Sequence, residues 1–148
     1  MKSVLDVASW FLSKGSIKHK KLQKLCYYAQ AWHCALYDEP LFSERIEAWV
    51  HGPVAPALYS EYAPYGWDDI PSKECTVQFT DDEMDILNAV YNTYWKFTGG
   101  QLEQLTHREE PWIKARKNLE PWEPGNNPIP TEDMHQFYLK RYSDAQGD

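Results

Sequence analysis

The sequence predicts a mainly α fold, a compact single-domain helical bundle over residues 1–148 with a small two-stranded β element. Three observations predict it. Apolar residues recur at three- and four-residue steps through most of the chain, the signature of helices with one buried face. Two capping-box patterns, Ser3 with Asp6 and Thr80 with Glu83, mark helix starts. Alternation with period two occurs clearly only at residues 45–51, where Ile46, Ala48 and Val50 interleave with Glu47, Trp49 and His51. The 148 residues suit a single core, which typically organises about 100–150 residues.

Taken in order, Val4, Val7, Ala8, Phe11 and Leu12 form the first helix, with Gly15 as its stop. A longer helix follows from about Lys18 to Tyr37, its stripe running through Leu22, Leu25, Cys26, Ala29, Trp32 or His33, and Leu36. Pro40 closes it. The strand at 45–51 is broken by Gly52 and Pro53, and Pro53 suits the first turn of a helix over residues 54–62. Pro64 and Gly66 end that helix, and residues 77–79 supply a second short strand to pair with the first. Thr80 caps a helix that runs to about Thr98, carrying Met84, Leu87, Tyr91, Tyr94 and Trp95; Asp81 and Asp82 favour its positive end. Gly99 and Gly100 then separate it from a short helix at 101–106. Pro111 opens another at 112–117, the Pro-rich stretch 120–130 is a loop, and Thr131 caps a last helix to about Tyr142.

With 22 acidic and 15 basic residues the formal charge is −7, which opposes phosphate at long range and argues against nucleic acid as a partner. The local basic run Lys18, His19, Lys20, Lys21 and Lys24 reads as a solvated helix start. Cys26 and Cys34, eight residues apart on one helix, are separated by about 12 Å, beyond the ~7 Å that a disulfide spans. Together with Cys75 they read as three reduced thiols in a cytoplasmic protein. No stretch approaches the ~20 apolar residues of a membrane span, so no membrane is expected.

The residues give no positive case for an enzyme. His33, His51 and His107 could meet at a zinc ion, but no spacing among them matches a ligand motif, and neither metal nor cofactor is expected. No Gly-x-Ser-x-Gly, cysteine-nucleophile signature or phosphate loop is present. The segment from Thr106 to Glu110 is the most reactive in composition, and a hydrolase centred on His51, His107 and Glu110 is the enzymatic alternative; a helix-to-helix corner in which His107 and Glu110 satisfy buried backbone groups is the plainer one. The aromatic content, 15% with seven Trp and ten Tyr, exceeds what one apolar stripe needs. Tyr28 falls on the Lys21 and Lys24 side of its helix, and Tyr59, Tyr62, Tyr65 and Trp67 form a second dense group. These rings make either a second packing layer or a recognition patch.

The run Lys20-Lys21-Leu22-Gln23-Lys24-Leu25-Cys26-Tyr27-Tyr28-Ala29-Gln30-Ala31-Trp32-His33 is followed by Pro40-Leu41-Phe42. Next come Glu47-Ala48-Trp49-Val50-His51-Gly52-Pro53-Val54 and Pro56-x-Leu58-Tyr59, then Tyr65-Gly66. Leu102-x-x-Leu105-Thr106-His107, Glu110-Pro111-Trp112-x-x-Ala115-Arg116 and Ile129-Pro130 complete the order. In this order the motifs resemble those of the Panacea domain, the SocA-like antitoxin family also called phage-associated GepA-like. The resemblance implies the antitoxin of a bacterial or phage type II toxin–antitoxin pair, not an enzyme, whose partner is a cognate protein toxin encoded by an adjacent gene. A variation within the family implies an adaptor that also engages a protease and delivers the toxin to it. The resemblance carries no catalytic residues, and it marks Leu22, Lys24, Tyr27, Trp49, Gly52, Pro53, Thr106, His107 and Trp112 as structural. The chain opens almost directly on the first helix, which argues against an appended DNA-binding module. On this reading the toxin-contacting surface comprises Tyr28, Trp32, Tyr59, Tyr62 and Trp67 with acidic residues at its rim.

Overall fold

A computed structural model describes residues 1–147. The chain runs α1 (Val4–Leu12), β1 (Ile17–Lys18), α2 (His19–Tyr37), β2 (Glu47–Trp49), β3 (Gly52–Val54) and α3 (Pro56–Tyr62), followed by a 3-10 turn (Ala63–Tyr65). It continues through β4 (Asp69–Ile70), α4 (Asp81–Tyr94), α5 (Gly99–His107), α6 (Glu110–Arg116) and α7 (Thr131–Gly147). The protein is therefore mainly α with a small β component, as the periodicity predicts.

Both expected capping boxes close reciprocally, at Ser3/Asp6 and at Thr80/Glu83, and a third forms at Thr98/Gln101. Each satisfies backbone N–H groups that a helix start leaves unpaired. Thr98 explains why Gly99 and Gly100 open α5 rather than separate two helices. A Cβ on Gly99 would lie 3.0 Å from the Lys21 backbone nitrogen, so the glycine lets α5 start close against α2.

Helix α2 is the axis of the molecule. Fourteen of its 19 residues are buried, and α1, α3, α4, α5 and α7 all pack on it. Packing on this many sides buries most of the helix, and two expectations are overturned. Tyr28 does not sit on a solvated side with Lys21 and Lys24; both Tyr28 and Lys24 are inside. Leu36, expected in the apolar stripe, is exposed instead.

The β element differs from expectation in its pairing. Residues 77–79 do not pair with 45–51. Instead β2 and β3 form a hairpin with Glu47 opposite Val54, Ala48 opposite Pro53 and Trp49 opposite Gly52. Val50 and His51 connect the strands, and Gly52 closes the turn with a φ of 107°, a backbone conformation that favours glycine. Pro53 thus belongs to a strand, and Pro56 opens the helix in its place. A second small sheet joins β1 and β4, with Ile17 opposite Ile70. The last helix runs past Tyr142 to Gly147, and α4 ends at Tyr94 rather than near Thr98.

Candidate interaction surface

The polar residues of α2 clip loops to the axis. The Gln23 side-chain oxygen accepts from the Ala55 N–H at 2.9 Å, just after β3. Lys24 Nζ donates to the Pro53 carbonyl at 3.2 Å. The Gln30 amide donates to the Phe42 carbonyl at 2.7 Å, and its oxygen accepts from the N–H groups of Leu41 and Phe42. Buried backbone groups away from water need such partners. The polar letters of this helix therefore do structural work that an amphipathic reading assigns to solvent.

The hairpin is fastened from the other side as well. The Trp112 indole N–H donates to the Trp49 carbonyl at 2.8 Å, Arg116 donates to the Ala48 carbonyl at 3.2 Å, and the Ala48 N–H donates to the Asn127 carbonyl at 2.8 Å. A Cβ on Gly52 would lie 2.7 Å from Lys24 Cε and 3.0 Å from Thr106 Oγ1, so the hairpin turn rests directly on these two side chains. Thr106 is fully buried. Burial lowers the Lys24 ammonium to about 7, with the nearby Glu103 carboxylate pulling upward and Lys20 pulling downward. His107 stacks on Trp112 with ring centroids 4.1 Å apart. Its Nε2 is buried without a hydrogen-bond partner. Burial also lowers this imidazole's pKa, while Glu103 and the Val50 backbone act the other way.

A second polar cluster holds α7 to α2. Glu109 accepts from the Tyr28 hydroxyl at 2.6 Å and from the Tyr138 hydroxyl at 2.9 Å on the same oxygen. Arg141 reaches its other oxygen at 3.3 Å. The Tyr27 and Tyr138 hydroxyls lie 3.0 Å apart, and the Tyr28 and Tyr94 rings stack with centroids at 4.0 Å. Burial raises the Glu109 carboxyl despite these three partners. Glu109, not Glu110, is the buried acid of this corner; Glu110 is exposed in the first turn of α6. In the run Arg108-Glu109-Glu110 the two acids are alike in sequence, and only the partners on α2 and α7 separate them.

The histidines considered for a metal have separate neighbours. His33 Nδ1 lies 2.7 Å from the Glu39 carbonyl, His51 Nδ1 lies 3.1 Å from Glu103, and His107 faces Trp112. No group of three or more His, Cys, Asp or Glu side chains placed to hold a metal occurs among the described residues. Cys26 and Cys34 are buried, and burial raises both thiols, Cys34 to about 12. Among the described residues no helix is long and apolar enough to cross a membrane.

The five rings expected to contact a partner separate into two groups. Tyr28, with no exposed surface, belongs to the Glu109 cluster, and Tyr62, 6% exposed, packs into the core. Neither can present a face to another protein. Trp32 is half-buried, its indole N–H bonded to the Tyr94 hydroxyl at 2.9 Å and its ring against Tyr138. Tyr59 and Trp67, in contrast, are 44% and 82% exposed, and Tyr65 joins them at 38%. Tyr59 lies between Trp49 and His19, with ring centroids at 5.0 and 5.2 Å. Tyr65 continues the line from Tyr62, at 6.2 Å. Exposed Glu61, Asp68 and Asp69 flank these rings, Asp69 paired with Lys18 at 3.1 Å. Tyr59 on α3, Tyr65 in the turn after it and Trp67 just beyond, exposed and with carboxylates adjacent in sequence, make up the candidate aromatic ridge. The other residues of the resemblance are interior or part of the hairpin scaffold: Leu22 and Tyr27 in the core, Trp49 half-buried on β2, and Lys24, Gly52, Pro53, Thr106, His107 and Trp112 at the hairpin's base.

None of the curated proteins and none of the solved structures matches the chain. A family model does, that of the antitoxin SocA-like, Panacea domain, over residues 22–113. That stretch begins in α2, includes the clipped hairpin and the aromatic ridge, and ends in α6. With more than half of its length inside that model, the chain belongs to the SocA-like antitoxin family of Panacea domains.

Proposed function

We propose that this protein is the antitoxin of a type II toxin–antitoxin pair and neutralises a cognate protein toxin by binding it directly. The observation that carries the reading is the family match over residues 22–113. The aromatic ridge of Tyr59, Tyr65 and Trp67 supplies a physical means. Exposed Trp and Tyr offer large contact area at low conformational cost, and such rings dominate binding energy at protein interfaces. Tyr59 stands on α3, whose start is tied to α2 by the Ala55 N–H donating to Gln23 and follows directly on the fastened hairpin, so little ordering of this helix is required on binding. The adjacent gene is the source of the toxin on this reading.

The test is growth of a host expressing the neighbouring gene alone and together with this one. Arrest by the neighbour, rescue by this chain and a stable complex of the two support occlusion of the toxin. Rescue with a shortened toxin lifetime and no stable complex transfers the function to proteolytic delivery. Absence of arrest, or arrest without rescue, removes the proposal.

A further inference from the structure

Residues 74–79, Glu-Cys-Thr-Val-Gln-Phe, are extended between two fixed points. Before them the Lys73 N–H and the Ser72 hydroxyl both donate to the Leu12 carbonyl, at 3.2 and 2.6 Å. After them Thr80 caps α4. Between these anchors Cys75, Val77 and Phe79 are half-buried and Glu74, Thr76 and Gln78 are exposed, the period-two pattern of a strand. Cys75 and Phe79 pack on the core, and Cys75 Sγ lies 3.3 Å from Ser9 Oγ.

Yet among the described residues this segment pairs with no other strand, and its backbone N–H and C=O groups make no hydrogen bond within the chain. Along the segment lies an open groove of about 540 Å³, whose other lining includes Trp10, Ser13 and Met84. Thr, Val and Phe favour strands, and a fixed, unpaired extended backbone is a template for one more strand. Glu74 lines the groove at the start of the segment and Asp81 follows its end in sequence, neither taking part in a salt bridge among the described residues, while Lys2 Nζ stands 5.6 Å from the Phe79 ring and Lys14 Nζ 4.6 Å from the Trp10 ring.

We propose that residues 74–79 are a docking edge to which an extended segment of a protein partner adds as a β-strand. That segment is apolar at alternate positions and carries lysine or arginine at its ends. Main-chain hydrogen bonds supply the pairing, the apolar side chains enter the groove over Trp10 and Met84, and the basic ends meet the free carboxylates. The edge is distinct from the aromatic ridge, and the proposal does not depend on the partner being a toxin.

The test uses the full chain, labelled with 15N, and a blocked synthetic peptide Arg-Val-Thr-Val-Thr-Val-Arg. The expected result is saturable shifts centred on the amides of residues 74–80, with exchange of some of them slowed at least tenfold. The same peptide ending in Glu instead of Arg binds at least tenfold more weakly. Successive residues of a strand direct their N–H groups to opposite edges, so Thr76→Pro and Val77→Pro each remove a donor from one edge. At least one of them weakens the Arg peptide tenfold while the melting temperature stays within a few degrees. No shift at millimolar peptide, shifts centred on Tyr59 and Trp67, equal binding of the Glu peptide, or full binding by both proline variants overturns the assignment.

Discussion

Lys24 offers the sharpest physical test of the scaffold. Its ammonium is fully buried, makes one hydrogen bond to the Pro53 carbonyl, and is brought by burial to about 7. The unfolded chain holds the same proton to about pH 10.4. Between pH 7 and pH 9 the unfolded state therefore keeps a proton that the folded state sheds, and stability rises with pH. A full proton of difference is worth about 1.4 kcal/mol per pH unit. With the folded group half-protonated at pH 7, the gain across this window is about 2 kcal/mol. Cys26 and Cys34 act in the opposite sense. Their folded thiols stay protonated, whereas unfolded thiols ionise near pH 8.5, so each lowers stability by roughly 1 kcal/mol over the same window. The wild-type profile is then nearly flat, and Lys24 shows only in a comparison. Lys24→Met keeps the side chain's length and removes the titration. Urea unfolding at pH 7 and pH 9 should find the variant losing about 2 kcal/mol more than wild type on going to pH 9. Parallel behaviour of the two proteins would refute the buried ammonium as a charge held against desolvation.

Four further outcomes rest on the same geometry. Gly52→Ala forces a side chain into positive φ and against Lys24, and should cost about 2–4 kcal/mol in urea unfolding. Tyr138→Phe leaves Glu109 with one donor fewer in a buried site and should cost about 1–3 kcal/mol, read by thermal unfolding. Trp67→Ala should change stability by less than about 1 kcal/mol, since its ring faces solvent, and Tyr59→Ala should cost about 1–2 kcal/mol through its packing between Trp49 and His19, while each weakens a purified toxin complex at least tenfold by calorimetry. Tyr28→Ala should instead unfold or severely destabilise the protein, because its ring is stacked in the core.

The helices were legible because their signals are local. Ser3 with Asp6 and Thr80 with Glu83 cap the helices they announce, and apolar periodicity located α1, α2 and α4 within a few residues. What could not be read depends on partners distant in sequence. Helical periodicity implies one buried stripe on α2, whereas 14 of its 19 residues are buried, Tyr28 and Lys24 among them. Pro53 and Pro56 are both suited to a first helical turn, and only the pairing of Trp49 with Gly52 decides between them. Residues 77–79 have the composition and side-chain alternation of a strand without a partner strand among the described residues. Of the proposed contact rings, Tyr59 is exposed on the outer face of α3, and Trp67 lies beyond the turn that follows that helix. Tyr62, three residues on from Tyr59, turns inward, and its hydroxyl accepts from Lys73 at 3.2 Å.

The most direct test of the account is rescue by the double variant Tyr59→Ala/Trp67→Ala in a host arrested by the adjacent gene. The account predicts that wild type restores growth and that the double variant, folded and equally abundant, does not. Full rescue by the double variant would remove the aromatic ridge from the mechanism, and failure of wild type to rescue would contradict the assignment of this chain as the neighbour's antitoxin.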